Sequence, residues 1–247
     1  DDPGINEVPT ASDSTVTATE ETDYTFTTAN FSFSDVDGDT VASVKITSLE
    51  TVGDLKLDGV DVTLNQVITK ADIDASKLKF TPVADGAGTG YDSFGFSVND
   101  GALDSTSTYT MTVDVTGAND APTASNSTVT ATEDADYTFT TANFSFSDVD
   151  GDAVASVKIT TLETVGDLKL DGADVTLNQV ITKADIDASK LKFTPATDGS
   201  GAGYDSFGFS VNDGTTNSAS TYTMTVDVTA NDAPTASDST VTATEET

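Results

Sequence analysis

Residues 10–116 recur as residues 123–229 at a fixed offset of 113, with substitutions at 14 of the 107 aligned positions. Whatever fold the first segment adopts, the second must adopt as well, and each must close a core of its own within about one hundred residues. A third copy begins at Thr235 and breaks off at Thr247, so the chain reads as a slice of a longer array. Near-identical tandem units suit a property that scales with copy number, such as length, spacing or valency, better than a single active site. The expected division is a linker or end of a preceding repeat over 1–9, repeats over 10–116 and 123–229, a linker over 117–122, and a linker with the start of a third repeat over 230–247.

Charge narrows the partners. Forty-two Asp and Glu face ten basic residues, all Lys, for a formal charge of −32. Nucleic acid and anionic membrane surfaces are repelled by such a field, whereas divalent cations are attracted. No apolar run reaches the length of a membrane span. With no Cys there are no disulfides, so each repeat depends on its core or on metal. His, Cys and Arg are all absent, which removes the usual general base, the thiolate nucleophile, soft-metal ligands and the bidentate phosphate clamp. Paired carboxylates could hydrolyse glycosides, but no unique pair stands outside the repeat, and the expectation is that the chain is not an enzyme.

Apolar side chains recur two apart: Tyr24 and Phe26, Phe31 and Phe33, Val44 and Ile46, Leu55 and Leu57, Leu78 and Phe80, then Phe94, Phe96 and Val98. The last strand is the clearest, with Tyr109, Met111, Val113 and Val115 on one face and Thr110, Thr112 and Asp114 on the other. Period two with one polar face predicts antiparallel sheets half exposed to water. Turns at Gly38, Gly53, Gly59, Asp85–Gly88 and Gly101 cut each repeat into about seven strands. The fold class expected is therefore all-β, with tandem Greek-key β-sandwich domains arranged end to end. Ala71–Ser76 is expected to add one helical turn.

Strand parity sorts the acids. If strand Pro9–Thr19 descends, strand Tyr24–Phe33 rises, leaving Glu20 at the bottom of the sandwich and Asp35-Val36-Asp37-Gly38-Asp39 at the top. Strand Tyr91–Val98 also rises, because the last strand descends into the next linker. That puts Asn99-Asp100-Gly101 at the top and Asp85 and Asp92 near the bottom.

This order resembles cadherin repeats, whose Greek-key sandwiches bind calcium between domains. The resemblance implies that Glu20 and Glu133 correspond to the Glu after the first strand. Asp35 with Asp37, and Asp148 with Asp150, correspond to the Asp-x-Asp pair, and Asp100 and Asp213 to the later Asp-Gly turn. Asn119-Asp120-Ala121-Pro122 and Asn231-Asp232-Ala233-Pro234 resemble the calcium-binding linker. The bacterial version in giant, RTX-type surface adhesins is closer still, with Leu78-Lys79-Phe80-Thr81-Pro82 and Phe94-Gly95-Phe96-Ser97-Val98-Asn99-Asp100-Gly101 matching its motifs. There are departures: no Asp-Arg-Glu segment, Ala121 in place of the second linker Asn, and Glu7 where the first linker would carry Asp. Asp85, Asp92 or water would supply the ligand that the missing segment carries.

What the resemblance implies is a calcium-rigidified extender of an adhesin on the bacterial cell surface, with Ca2+ as the only cofactor and the neighbouring repeats as partners. A second reading makes the repeats themselves the binders of glycan, or lets them self-associate into an extracellular fibre or biofilm matrix. The plainest rival is adaptation to high salt, in which the carboxylates are merely hydrated. Asp35–Asp39 is a poor EF-hand loop, because Gly falls fourth rather than sixth and Ile46 occupies the twelfth position. Asp58-Gly59 and Asp171-Gly172 read as metal-free hairpin turns.

Overall fold

The structure, a computed structural model, describes residues 5–231 together with 238, 240 and 241. The chain divides between Ala118 and Asn119 into two compact units. The third copy that begins at Thr235 lies outside the described residues apart from those last three positions.

The first unit runs β1 (Ser14–Thr19), β2 (Tyr24–Thr25), a 3-10 turn (Thr28–Phe31), β3 (Ser43–Ser48), β4 (Asp54–Leu57), β5 (Val60–Asp61), β6 (Val67–Thr69), α1 (Lys70–Asp74), β7 (Leu78–Thr81), β8 (Gly88–Asn99) and β9 (Tyr109–Thr116). These strands form a five-stranded sheet in the order β1-β9-β8-β3-β6 and a four-stranded sheet in the order β2-β7-β4-β5. The second unit repeats both sheets, from Ser127–Thr132 to Tyr222–Thr229. All 14 positions at which the repeats differ are exposed in the first unit. The two cores are therefore built from the same residues.

Between the sheets lie Phe26, Phe31, Phe80, Phe94 and Phe96, each essentially without exposure. Phe26 meets Phe94 edge-on with ring centroids 5.5 Å apart, and Phe31 meets Phe96 edge-on at 5.1 Å. Such pairs contribute about 0.5–1.5 kcal/mol beyond the burial of their area. Alternation holds where it was strongest: Met111, Val113 and Val115 of β9 are buried.

Three expectations need correction. Among the described residues each unit has nine strands rather than about seven, because β5 and β6 are edge strands of two and three residues, too short to show an alternation: Val60 and Val67 face solvent and only Ile68 of β6 points into the core. The expected strand Tyr24–Phe33 is broken after Thr25. The Asn30 side chain accepts from the Thr27 N–H at 2.7 Å, closing a capping box on the 3-10 turn, and Ser32 turns left-handed at φ 48°. Nor are the sheets wholly antiparallel: β1 runs parallel to β9, from Ser14 opposite Met111 to Thr19 opposite Thr116. Both strands descend, as parity required, and no hairpin joins them.

The helical turn forms over Lys70–Asp74, capped by the Thr69 hydroxyl, which accepts from the Asp72 N–H at 3.1 Å. Asp58 and Gly59 take φ 53° and 80° and make the β4–β5 hairpin, as their sequence implies. Gly53 is needed for a different reason, since a Cβ placed on it would collide with the Phe80 ring. Gly53→Ala together with Gly166→Ala is expected to cost each unit about 1–3 kcal/mol through overpacking. Calorimetric melting reads this directly, and an unchanged transition would contradict the described packing.

Candidate metal centre

At the end of β8 and the start of β1, loops gather carboxylates by backbone chemistry alone. Asp35 Oδ1 accepts from the N–H groups of Asp37 at 2.8 Å and Asp39 at 3.2 Å, a local turn that Gly38 permits at φ 86°. Asp148 does the same for Asp150 at 3.0 Å and Asp152 at 3.2 Å. Asp100 Oδ1 accepts from Ala102 at 2.6 Å and Leu103 at 2.7 Å, and Asp213 Oδ1 from Thr215 and Thr216, both at 2.6 Å. The Leu103 N–H above all holds the Asp100 carboxyl below its usual range. For Asp213, burial pushes the carboxyl up, but the Thr216 and Thr215 donors outweigh it and the net shift is down.

Within each unit the preceding linker is tied to these loops. In the second unit, Asn119 Nδ2 donates to Asp213 Oδ2 at 3.0 Å, and the Asp120 N–H donates to Asp150 Oδ2 at 2.7 Å. In the first, Asn6 Nδ2 donates to Asp100 Oδ2 at 2.9 Å and the Glu7 N–H to Asp37 Oδ2 at 2.6 Å. Glu7 thus keeps the backbone role of Asp120 despite its longer side chain. Asp35, Asp37 and Asp100 are therefore gathered at one end of the first unit, and Asn119, Asp120, Asp148, Asp150 and Asp213 at the same end of the second.

Two observations bear on whether a hard cation fits. The second oxygens of Asp35 and Asp148 are buried and accept no hydrogen bond, which is costly for a carboxylate unless something else meets it. In the second unit, oxygens of Asp148, Asp150 and Asp152 all lie within 4.8 Å of one another. Oxygens that share one calcium ion at about 2.3–2.6 Å sit no more than about 5 Å apart. The donor set is all oxygen, which suits calcium and excludes a soft-metal preference. The sequence places Asp39 at the top with Asp35 and Asp37 without deciding whether it is a ligand, and its counterpart Asp152 is added by the structure. The third acid of an Asp-x-Asp-x-Asp alternation was the available signal.

The opposite end of each unit, eight residues and about 25 Å along β9, carries a different set of acids. Glu20 is 3% exposed and Glu133 2%. Glu20 Oε1 accepts from the Ala118 N–H and Glu133 Oε1 from the Asn231 N–H. Asp232 lies outside the described residues.

Asp92 takes no place among free ligands. Its oxygens accept from the N–H groups of Thr51 at 3.0 Å, Val52 and Gly53 at 2.9 Å, and Ser93 at 2.8 Å. Asp205 does the same for Thr164, Val165, Gly166 and Ser206. These carboxylates pin a loop to the sandwich and have no strong acceptor direction left over. Asp92 is in phase with Phe94, Phe96 and Val98, so its inward parity was the overlooked sign of a buried structural acid. Asp85 sits exposed in a left-handed turn at φ 57°.

A family model described as Bacterial Ig domain matches residues 6–116 and 119–229. No curated protein sequence is significantly similar to the chain. Among solved structures, an endo-fucoidan hydrolase of glycoside hydrolase family 107 shares 23% identity over 94% of this chain and 30% of its own, with a TM-score of 0.26. Drosophila N-cadherin EC1-3 shares 10% over 92% and 69%, with a TM-score of 0.27. Titin domains z1z2 in complex with telethonin share 13% over 92% and 100%, also at 0.27. The chain spans about a third of the length of the two fucoidan hydrolases it matches.

Proposed function

Because the chain belongs to the bacterial Ig domain family, with two tandem copies, we propose that it is a calcium-ordered extender segment of a large bacterial cell-surface adhesin, holding a distal binding domain away from the cell. Tandem bacterial Ig-like domains are consistent with extender or adhesin-like repeats, and such domains are typically extracellular. No helix among the described residues is long and apolar enough to cross a membrane. The repeats work here as spacers without catalysis, and their number sets the reach.

The observation that supports calcium most is the buried, unpartnered Oδ2 of Asp35 and Asp148 beside carboxylates already tied to the linker. Without a cation, Asp148, Asp150 and Asp152 repel one another and pull their loop apart. A calcium ion held by them would reverse the sign of that interaction and fix the Asn119-Asp120 segment to the second repeat. Modules of this kind bind calcium at about 0.1–1 mM, which suits an extracellular setting.

Calorimetric titration of calcium into variants of the whole chain tests the ligand set. Asp150→Ala and Asp148→Ala are each expected to weaken binding at least tenfold at the second repeat. Asp171→Ala, in the metal-free hairpin, is expected to leave binding unchanged. Equal affinities for the three variants would remove the assignment.

A further inference from the structure

The two repeats offer a cation the same acids at every position but one. Each cluster holds five: the linker acid, the three of the Asp35–Asp39 alternation and Asp100 in the first unit, and their counterparts at an offset of 113 in the second. The linker acid is Glu7 in the first unit and Asp120 in the second. Formal charge is therefore equal, and at a distance a divalent cation is drawn to both clusters alike. A difference in affinity has to come from where the oxygens stand.

The backbone beneath the linker acid is pinned in the same way in both units. The Asn6 and Asn119 side chains donate to Asp100 and Asp213 at 2.9 and 3.0 Å, and the N–H groups of Glu7 and Asp120 donate to Asp37 and Asp150 at 2.6 and 2.7 Å. With the backbone held at both points, side-chain length sets where the carboxylate stands, and Glu adds one carbon–carbon bond of about 1.5 Å. An Asp120 oxygen lies within 4.8 Å of an Asp150 oxygen. Asp148, Asp150 and Asp152 come equally close to one another, whereas among the described residues of the first unit no three acids do so. A coordination shell at about 2.3–2.6 Å loses a carboxylate displaced by a full bond length unless the Glu chain folds back, and ordering Glu costs more conformational entropy than ordering Asp.

We propose that the acid after the linker Asn sets the calcium affinity of its repeat, so that the second repeat fills at about a tenth of the calcium concentration that the first requires. The inference rests on the calcium reading above and adds a graded response to it. Between the two concentrations one repeat is ordered by the ion and the other is not, so a chain that mixes Glu and Asp at this position orders its repeats in sequence.

The test is calorimetric titration of calcium into whole chains in which one repeat's site is silenced. Asp148→Ala with Asp150→Ala leaves the first repeat's site to be read, and Asp35→Ala with Asp37→Ala leaves the second's. In the first background Glu7→Asp should tighten binding about tenfold, and in the second Asp120→Glu should weaken it about tenfold. Each swap should melt in EGTA as its own background does. The proposal is overturned if either swap changes the affinity less than twofold, or if the unswapped first repeat binds as tightly as the second. A swap that shifts melting in EGTA overturns it too, because the effect then lies in the fold and not in the ligand. Failure of both backgrounds to bind calcium would remove the calcium reading itself, and this inference with it.

Discussion

Asp92→Ala with Asp205→Ala is expected to destabilise each unit by about 3–5 kcal/mol, because four backbone N–H donors lose a charged acceptor in a site where water does not replace it. For a domain of this size that corresponds to a drop of roughly 12–20 °C in melting temperature. The carboxylate is 5% exposed in the first unit and 6% in the second. Burial pushes its pKa up, but the N–H groups of Val52, Gly53, Thr51 and Ser93 more than offset this and leave it below the ordinary value of 3.8. A carboxyl depressed in the folded state contributes its full stability above the unfolded value and loses it as the pH falls through the folded one. The stability gap between the parent chain and the Asp92→Asn, Asp205→Asn variant should therefore be flat from neutral pH downward and close only below about pH 4. A gap independent of pH across that range would contradict the role given to the charge.

The second large effect separates calcium from general screening. A cation that binds the folded state alone stabilises by about 2.7 kcal/mol at a hundredfold excess over its dissociation constant, or about 10 °C here. Molar sodium chloride shortens the screening length to about 3 Å and relieves diffuse repulsion, yet it coordinates nothing. A few millimolar calcium in low salt should therefore raise the melting temperature above that reached in molar sodium chloride with EGTA. If sodium alone restores the full value, the acids are a hydrated surface suited to high salt.

How far the sequence could be read depended on whether a residue's role is set locally. Met111, Val113 and Val115 alternate without interruption, and their burial followed from period alone. The Asp35 and Asp148 turns were legible because their hydrogen bonds close within four residues. The Tyr24–Phe33 stretch misled because Phe31 and Phe33 keep a period of two while Asn30 closes a turn across it. Asp92 looks like a candidate ligand in the sequence because its partners, Thr51–Gly53, lie about forty residues away. The facing of Lys56 and Lys79 is hidden in the sequence for a related reason, since they meet only once β4 and β7 pair.

Small-angle X-ray scattering of the whole chain in EGTA and in millimolar calcium reads whether calcium stiffens the tandem repeats. In calcium a larger maximum dimension and a narrower ensemble are expected, and Asp148→Ala with Asp150→Ala should weaken that response. Superimposable profiles in EGTA and calcium, at a calcium concentration that calorimetry shows to be saturating, would contradict it.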